Sequence, residues 1–377
     1  MVPLAKALLQ RGAQVGWATA SDALPDLAAQ GFDLFAVGLP TFLCRQEYRR
    51  RWPEALSLQG EALSSHTFPR LFGGVVAPAM VAELGAAVDS WRPDLVVNDA
   101  AALAGPLVCT RRLVPYVTHG YGLRPTEEQL SGAMQEFGSH WRTAGLQPPD
   151  DGGLYAHLFL DIVPASLGTT RKMDRSHVQS MTPAATHMAT HSALPLSLRH
   201  ALQSRSRPII YLTFGTVFNR SVALRSAINA LQRLSATIIV TVGRDGDLAG
   251  FGEPPENVHL YRHIEQGALL PLCDAVVSHG GAGSVLGAAA HGLPQLILPQ
   301  AADHFRNAQA LTRAGAAVTI KPESLSLHAV EESARSLFGI PSLAIAAKRL
   351  ALEIKSMPTV YAVADLLSEK LSSRRIA

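Results

Sequence analysis

Short apolar segments of strand length alternate with helical patterns along most of the chain, and this alternation occurs twice. Strands that are apolar throughout are typical of parallel sheets buried on both faces, because the connecting helices cover each side. The two runs are separated by Thr182–Arg207, which is rich in His, Ser, Arg and Pro. The sequence therefore predicts an α/β protein with two Rossmann-like domains, each built on a doubly wound parallel sheet.

The predicted strands share an apolar centre bounded by charged or turn-forming residues. They are Gln14–Ala20, Asp33–Val37, Asp94–Asn98, Pro115–His119, Pro208–Phe214, Ala236–Val242, Asn257–Tyr261, Asp274–Ser278, Gln295–Pro299 and Ala316–Ile320. The predicted helices show apolar residues at helical spacing. They include Ala100–Leu113, Ser221–Leu234, Ala282–His291, Asp303–Arg313 and Thr359–Leu371.

Composition excludes several classes of protein. Hydrophobic residues make up 47% of the 377 residues, too many for a largely disordered chain, and a net charge of +3 does not favour nucleic-acid binding. The three cysteines, Cys44, Cys109 and Cys273, are too scattered for a disulfide framework or a four-ligand zinc site. The longest stretch without Asp, Glu, Lys or Arg, Ala275–Ala302, contains histidines and prolines and does not fit a membrane helix. We therefore expect a cytoplasmic protein without a transmembrane segment or a signal peptide.

The first element of the chain is unusual for a doubly wound domain. Pro3–Gly12 predicts a helix, because proline suits a first turn and glycine suits the position after a helix end. Such a sheet normally begins with a central strand. Either this domain is built differently, or its opening strand is absent from the sequence.

A glycine-rich turn follows the predicted strand Asp274–Ser278 and leads into a helix. Glycine lets the backbone approach a ligand, and the free N–H groups at a helix start favour an anion. The side chains of His279 and Ser284 would add donors to phosphate oxygens. The alternative is a strand-to-helix turn without a ligand. The candidate phosphate cradle consists of His279, Gly280, Gly281, Ala282, Gly283 and Ser284.

A second turn follows the apolar strand Pro208–Phe214. Thr213, Gly215 and Thr216 lie at its end, and the carboxyl ends of parallel strands meet at one edge of a sheet. The two hydroxyls would then donate into the same cleft as the cradle. The alternative is again an ordinary threonine-rich turn.

The glycine turn also has some features of a dinucleotide fingerprint. Gly281 and Gly283 match its first two glycines, although Leu286 stands at the third position. Asp303 follows at about 20 residues, the usual distance to an acid that binds ribose. A nicotinamide-dependent oxidoreductase is therefore an alternative function.

Taken together, these segments resemble the GT-B glycosyltransferases that use UDP- or TDP-sugars, in particular the bacterial enzymes of antibiotic, macrolide and enediyne biosynthesis. The resemblance is greatest in the second half, and weaker in the first half at Pro3–Ala20 and Pro93–Asp99. The matching pieces of the second half are Tyr211–Asn219, Asn257–Leu270, Asp274–Ser284 and Leu298–Asn307. The resemblance implies two Rossmann-like domains that face each other across a cleft.

For the donor, the resemblance implies that His279, Thr216 and the N–H groups of Gly281–Ser284 contact the diphosphate. His263 and Ile264 stand where such enzymes hold the base, by ring stacking and by the main chain. The acid-and-glutamine pair that binds sugar hydroxyls in the family corresponds to Asp303 and His304, so histidine replaces the usual glutamine. Glu265 stands where the family often has proline.

For the acceptor, the resemblance implies a histidine as general base in an opening Gly-His-x-x-Pro loop. Met1, Val2 and Pro3 match the end of this loop, so the histidine would stand immediately before Met1. Asp99 matches the aspartate that orients this base and stabilises its charge. Asp99 also fits a helix cap, and the two roles are compatible. His119, at the end of the next strand, is a further candidate for the acceptor site or for a substitute base.

The sequence does not predict a metal site. Asp245-Gly246-Asp247 has the spacing of a metal-binding Asp-x-Asp, but Asp-Gly is also a common turn pair. The resemblance implies that no metal or other cofactor is required, because helix N-termini and donors neutralise the leaving diphosphate.

The predicted function is inverting transfer of a sugar from a TDP- or UDP-sugar to a hydroxyl of a hydrophobic, polyketide-type small molecule. A non-catalytic sugar-nucleotide-binding or auxiliary protein is a second alternative, and a homodimer stays open. Nucleic acid is not an expected partner. The expected domains are an acceptor-binding domain at 1–190, a linker at 191–207, a donor-binding domain at 208–355 and a C-terminal helix that packs back across the domains at 356–377.

Overall fold

A computed structural model describes residues 1–168, 177–183, 194–202, 207–215, 221–244 and 246–373 of the chain. The fold divides into two compact units. Unit 1 comprises Met1–Ile162, Thr169–Met181 and Pro358–Ala377, and unit 2 comprises Val163–Gly168 and Thr182–Met357.

The described strands are short and pair in parallel throughout. In chain order they are β1 (Gly16–Thr19), β2 (Asp33–Ala36), β3 (Val96–Asp99), β4 (Tyr116–His119), β5 (Phe159–Asp161), β6 (Val178–Ser180), β7 (Ile209–Thr213), β8 (Thr237–Thr241), β9 (Val258–Tyr261), β10 (Ala275–Ser278), β11 (Gln295–Ile297) and β12 (Ala317–Thr319).

The described α-helices connect and cover these strands. In chain order they are α1 (Val2–Leu9), α2 (Thr41–Arg51), α3 (Gly60–Thr67), α4 (Ala77–Trp91), α5 (Ala104–Arg112), α6 (Glu127–Thr143), α7 (Leu196–Leu202), α8 (Val222–Leu231), α9 (Gln266–Leu269), α10 (Ala282–Ala290), α11 (His304–Arg313), α12 (Leu327–Gly339), α13 (Pro341–Ser356) and α14 (Val360–Ser372).

Unit 2 contains one six-stranded sheet in the order β12-β11-β10-β7-β8-β9. This is the doubly wound order in which the chain runs outward from a central strand in one direction and then in the other. Alternate residues of β7 face opposite layers, since Ile210 packs in one apolar cluster and Tyr211 in another. Helices α8 and α12 supply the first layer, and α9 and α10 supply the second. The order reverses between β7 and β10, which is where ligands bind in such sheets.

Unit 1 contains two separate parallel sheets, β1-β2 and β3-β4-β5-β6. All four strands predicted for this region are present, but β5 and β6 were not predicted. Each of these two strands has only three residues, too few for a clear apolar period. Helix α14 packs against α1 in a cluster that includes Leu4, Val363 and Leu367. The C-terminal helix therefore belongs to unit 1.

A long helical segment, Gly60–Trp91, was also not predicted. It consists of α3, a π-helical stretch at Phe68–Val76, and α4. By length and composition alone it is apolar enough to cross a membrane, and 39% of its most apolar window is buried. Buried helices of soluble proteins satisfy the same criterion, and Phe68 of this segment packs with Leu130 and Phe137 of α6.

Candidate active site

The reversal point of the unit 2 sheet brings the two predicted turns together. Ser278 at the end of β10 is paired with Thr213 at the end of β7. The chain then continues into His279–Gly281 on one side and into Phe214 and Gly215 on the other. Two segments 66 residues apart thus form one site, as the hydrogen bond between the His279 ring and the Thr213 carbonyl also shows.

His279 is held by close contacts on several sides. A Cβ atom at Gly215, where φ is +65°, would lie 3.1 Å from the His279 Cε1 atom. A Cβ atom at Gly281 would lie only 2.6 Å from Nε2. The ring also stands edge-on to His304, with 4.4 Å between the ring centroids. Glycine is therefore required at these two positions because a side chain would displace the imidazole.

Burial sets the protonation state of His279. Its pKa is lowered to about 4, mainly by burial and further by the neighbouring His304. A neutral imidazole that donates from Nδ1 to the Thr213 carbonyl, 3.5 Å away, leaves Nε2 as an acceptor. Nε2 must therefore take up a proton before it can donate to an anion.

The start of α10 has the features of an anion site. Its N-cap is Gly281, and no side chain of the described part of the chain caps the helix. The N–H of Ser284 already bonds to the Gly281 carbonyl at 3.0 Å. The N–H groups of Ala282 and Gly283 have no partner within the helix by its geometry. Among the residues that the structure describes, none lies within 4 Å of a Cβ atom added at Gly283, so these residues leave the entrance to the helix open.

Thr213 is buried and stabilises the turn from within. Its Oγ1 accepts a hydrogen bond from the Gly215 N–H at 3.3 Å and another from the Thr241 hydroxyl at 3.0 Å. Tyr211 continues this buried chain of hydroxyls, 2.8 Å from Thr241. Sequence reasoning missed Tyr211 and Thr241, whose contribution depends on strand pairing. Thr216 lies outside the described residues.

The acid–histidine pair lies at the start of α11, beside the glycine turn. Asp303 is the N-cap of α11, and the preceding Ala302 has a positive φ of 51°, which is uncommon outside glycine. His304 is 3% exposed, and its Nδ1 accepts the N–H groups of Gln300 and Ala301 at 3.3 and 3.1 Å. Burial lowers the pKa of His304 to about 4. Its ring therefore supports both His279 and the turn before α11.

Asn307 is a member of this cluster to which sequence reasoning assigned no role. Its side-chain amide donates to the Gly280 carbonyl and to the Asp303 carboxylate, both at 2.8 Å. The available signal was its position, four residues after Asp303 on a helix, where side chains share a face.

The proposed base pocket lies in the loop between β9 and α9. The side chain of His263 is exposed, whereas that of Ile264 is buried in the core beneath the loop. This arrangement leaves an imidazole surface available for stacking and leaves only the main chain of Ile264 for recognition.

In unit 1, Asp99 and His119 lie side by side at the ends of β3 and β4, where they are paired. One carboxylate oxygen of Asp99 accepts the Ala101 N–H at 2.8 Å and so stabilises the turn after β3. Asp99 is not the helix cap expected from the sequence, because α5 begins at Ala104 and its N-cap is Leu103. Burial raises the pKa of Asp99, while that hydrogen bond and the amino group of Met1 act in the opposite direction.

His119 is buried, and its Nδ1 bonds to the Gly120 carbonyl at 2.7 Å. Burial is the main reason that its pKa falls to about 3. Such a group is a poor match for a general base near neutral pH. On the neighbouring β5, Asp161 accepts hydrogen bonds from Nε and Nη2 of Arg124 at 2.9 and 2.6 Å, a partly buried ion pair that sequence reasoning missed.

No group of three or more potential metal ligands occurs among the residues that the structure describes. Asp247 accepts the N–H of Ala249 at 3.0 Å, as a turn residue does. Asp245 lies outside the described residues. Within the described part of the chain, no disulfide joins the three cysteines, all of which are buried.

Two family profiles match the sequence. The profile described as erythromycin biosynthesis protein CIII-like, N-terminal domain, matches residues 12–176, and the corresponding C-terminal domain profile matches residues 225–370. The L-demethylnoviosyl transferase of Streptomyces niveus is 30% identical over 382 residues, which cover 99% of this chain and 95% of the relative. Elloramycin glycosyltransferase ElmGT of Streptomyces olivaceus is 30% identical over 285 residues, 74% of this chain and 69% of the relative.

Solved structures show the same fold. Glycosyltransferase SnogD of Streptomyces nogalater superimposes with a TM-score of 0.76 and 26% identity, over 98% of this chain and 95% of SnogD. Glycosyltransferase VinC, solved in complex with dTDP, superimposes with a TM-score of 0.75 and 24% identity, over 99% of this chain and 96% of VinC.

Proposed function

The chain belongs to the erythromycin biosynthesis protein CIII-like family of antibiotic glycosyltransferases, and we propose how its own residues carry out sugar transfer. It is a GT-B enzyme that moves a sugar from a nucleotide sugar to a natural-product acceptor. The nicotinamide alternative is not favoured, since the relatives are named glycosyltransferases.

The diphosphate of the donor binds at the entrance of α10. The observation that carries this assignment is the uncapped N-terminus of α10, which lies next to His279 at the reversal point of the sheet. The N–H groups of Ala282 and Gly283 and the hydroxyl of Ser284 supply donors, and the helix dipole favours the negative charge. His279 takes up a proton at Nε2 as the anion binds, because the charge of the diphosphate offsets the effect of burial.

The sugar and the nucleobase of the donor bind on the two sides of this cradle. Asp303 accepts hydrogen bonds from sugar hydroxyls. His304 holds the ring of His279 in place through the edge-on contact between the two rings. The ring of His263 stacks on the nucleobase, and main-chain groups at Ile264 form hydrogen bonds with the edge of the nucleobase. Thr213 and Gly215 shape the turn against which the phosphate side rests, and Thr216 contributes a hydroxyl.

In unit 1, Asp99 is the partner of the catalytic base. The family resemblance implies a histidine directly before Met1, and Asp99, at the carboxyl end of β3, matches the aspartate that orients it. The negative charge of Asp99 then stabilises the imidazolium that forms when the base accepts a proton. His119 lines the same strand ends and contributes to acceptor binding.

The reaction is a single in-line displacement. The acceptor hydroxyl loses its proton to the base and its oxygen forms a bond to the anomeric carbon. The bond between that carbon and the diphosphate oxygen breaks at the same time, and its electron pair leaves with the diphosphate. One displacement inverts the anomeric centre. The N–H groups at α10 and the protonated His279 stabilise the charge that develops on the leaving group.

The acceptor is a hydrophobic small molecule of polyketide type. Support comes from the relatives, whose names refer to antibiotics. The acceptor-binding domain spans 1–190, the linker 191–207 and the donor-binding domain 208–355, with the C-terminal segment 356–377 returning to the first domain. The protein acts in the cytoplasm, and a homodimer is the simplest assembly to test by light scattering.

Titration with dTDP, UDP and NAD tests the donor assignment, and dTDP is a suitable first probe because VinC was solved with it. We expect saturable binding of dTDP or UDP and no binding of NAD. The double variant His279→Ala/Ser284→Ala should lose about tenfold or more of this affinity. Unchanged affinity of a folded double variant would refute the cradle at α10.

Transfer assays on two forms of the protein test the catalytic base. One form starts at Met1, and the other is extended upstream so that Gly-His precedes Met1. We expect faster turnover of a dTDP-sugar with a polyketide acceptor in the extended form, by about 10²- to 10⁴-fold. Equal inactivity of both forms, despite normal dTDP binding, would favour a non-catalytic sugar-nucleotide binder.

A further inference from the structure

Asn307 joins two parts of the donor site that lie on different elements. Its side-chain NH₂ group has two hydrogens, and it has two acceptors at 2.8 Å, the Gly280 carbonyl and the Asp303 carboxylate. Asn307 is 3% exposed, so water does not compete freely for these hydrogens. One amide group thus connects the glycine turn before α10 with the acid at the start of α11.

The bond to Gly280 also orients the next peptide N–H. In a planar trans peptide the C=O of one residue and the N–H of the next point in opposite directions. Because Asn307 of α11 holds the Gly280 carbonyl, the N–H of Gly281 points away from α11. This N–H precedes the free N–H groups of the first turn of α10 and adds to the same row of donors.

Packing leaves little room for this peptide to move by itself. A Cβ atom at Gly280 would lie 2.8 Å from Ile297 Cγ2 and 3.1 Å from the His304 carbonyl oxygen. The first turn of α11 therefore lies directly against the glycine turn. The N–H of Gly280 is also occupied, since it donates to the Ser278 hydroxyl at 3.2 Å.

We propose that Asn307 is a positioning residue that couples the sugar side of the donor site to its diphosphate side. It fixes the Asp303 carboxylate for the sugar and, through the Gly280 carbonyl, the Gly281 N–H for the diphosphate. This inference rests on the donor site proposed above. Asn307 itself contacts neither the sugar nor the diphosphate.

Binding of dTDP, which has no sugar, separates the coupling from a purely sugar-side role. In Asn307→Ala the Gly280–Gly281 peptide is released, and we expect dTDP affinity to fall about 5- to 10-fold, as for one lost hydrogen bond. Affinity for dTDP-glucose should fall further, because Asp303 is released as well. In Asp303→Ala only the sugar-side partner is removed, so dTDP-glucose binding should weaken far more than dTDP binding.

Asn257→Ala is the matched control in the same unit. Its side-chain amide also links elements, by donating to the carbonyls of Gln232, Leu234 and Ala236 at 3.1 to 3.3 Å. Loss of this link should lower the thermal midpoint without changing dTDP affinity. Asn307→Ser, which keeps one small donor, is a second variant in case Asn307→Ala does not fold, and its dTDP affinity should lie between the wild type and Asn307→Ala.

The outcomes distinguish the inference from the proposed function. If the wild type binds dTDP, and folded Asn307→Ala and Asn307→Ser bind it equally well, the coupling is refuted and the donor site stands. If Asn257→Ala loses as much dTDP affinity as Asn307→Ala, the effect is one of general stability and the coupling is likewise refuted. If the folded wild type binds neither dTDP nor UDP, the donor site itself is refuted.

Discussion

At the carboxyl edge of the unit 2 sheet, the candidate groups include parts of the main chain beside side chains: the free N–H groups of α10 and the peptide between Gly280 and Gly281. At the carboxyl edge of the unit 1 sheet β3-β4-β5-β6, they are side chains. Asp99, His119 and Asp161 end three neighbouring strands there. The first edge belongs to one continuous sheet, whereas unit 1 contains two separate sheets.

This difference has a physical consequence for how the two edges respond to substitution. A site made of main-chain groups depends on the absence of Cβ atoms, so it is sensitive to added volume. A site made of ionisable side chains depends on charge and proton affinity, so it is sensitive to isosteric changes that remove charge. The following predictions test that contrast.

The largest effect is expected from Asp99→Asn in the form of the protein that carries Gly-His before Met1. Removal of the charge that stabilises the catalytic imidazolium should lower kcat by about 10²- to 10⁴-fold. Affinity for dTDP should not change, because Asp99 lies in unit 1 and the cradle lies in unit 2. Steady-state kinetics and calorimetry on the same preparation measure both quantities.

Asp94→Asn is the control for this experiment. Asp94 precedes the same strand, β3, at its opposite end and is exposed. It should leave kcat and dTDP affinity at wild-type values. A loss of turnover in Asp94→Asn equal to that in Asp99→Asn would show that the carboxyl edge of β3 has no special role.

The next largest effect concerns pH. The pKa of His279 and that of His304 are both lowered to about 4 in the folded state, against an ordinary value of 6.5. Between those values the unfolded chain binds more protons, so the free energy of unfolding must fall as the pH drops from 6.5 towards 4. The pKa difference corresponds to roughly 3 kcal/mol for each histidine as an upper bound. Denaturant unfolding at several pH values measures this slope.

His304→Gln makes the pH prediction specific to unit 2. The glutamine cannot titrate, so the slope between pH 6.5 and 4 should become clearly smaller than in the wild type. In unit 1, His119→Gln removes a histidine whose pKa is about 3. This variant should instead reduce the pH dependence of the free energy of unfolding of unit 1. An identical slope in the wild type and His304→Gln would contradict the buried, neutral state of His304.

The contrast also explains which parts could be predicted from the sequence. The glycine turn at His279–Gly281 was recognisable because a position without room for a Cβ atom must be occupied by glycine, and glycines are visible in the sequence. The fold was predictable for the same kind of reason, since strands buried on both faces must be apolar, and all ten predicted strands are present. The role of Asn307 was not predictable, because its two acceptors meet only after β10 and α11 are packed together.

Unit 1 was harder to predict because its strands are short and because the apolar residues of its long helical segment do not recur at one regular spacing. Gly60–Trp91 contains a π-helical stretch, which shifts the faces of the helix on either side of it. The ion pair between Arg124 and Asp161 joins positions 37 residues apart and has no local sequence signal. Asp99 was identified through the family resemblance, because its local pattern is that of an ordinary turn cap.

A smaller effect, confined to unit 2, is expected from Gly281→Ala. The added Cβ atom would lie 2.6 Å from His279 Nε2, so the imidazole must move although the backbone angles at this position suit alanine. We expect dTDP affinity to fall about 30-fold, in line with overpacking costs of about 2 kcal/mol. The measurement is calorimetric titration with dTDP.

Gly339→Ala is the control for added volume in the same unit. Gly339 ends α12, and a Cβ atom there would meet no described residue within 4 Å. It should bind dTDP like the wild type. If Gly281→Ala also binds dTDP like the wild type while it remains folded, the position of the His279 ring does not matter for the diphosphate.

The smallest effect is expected from Asp365→Asn in the C-terminal helix, where unit 1 offers an ionic and an apolar contact side by side. Asp365 of α14 forms a bidentate ion pair with Arg11, next to α1, with Nη2 and Oδ2 2.8 Å apart, and its carboxylate is more than half exposed. Such pairs are screened by salt, so Asp365→Asn should leave the thermal midpoint unchanged at physiological ionic strength. Leu367, two residues later, is fully buried against α1, and Leu367→Ala should cost about 2–5 kcal/mol. A large loss of stability in Asp365→Asn with little loss in Leu367→Ala would mean that charge, and not burial, holds α14 on unit 1.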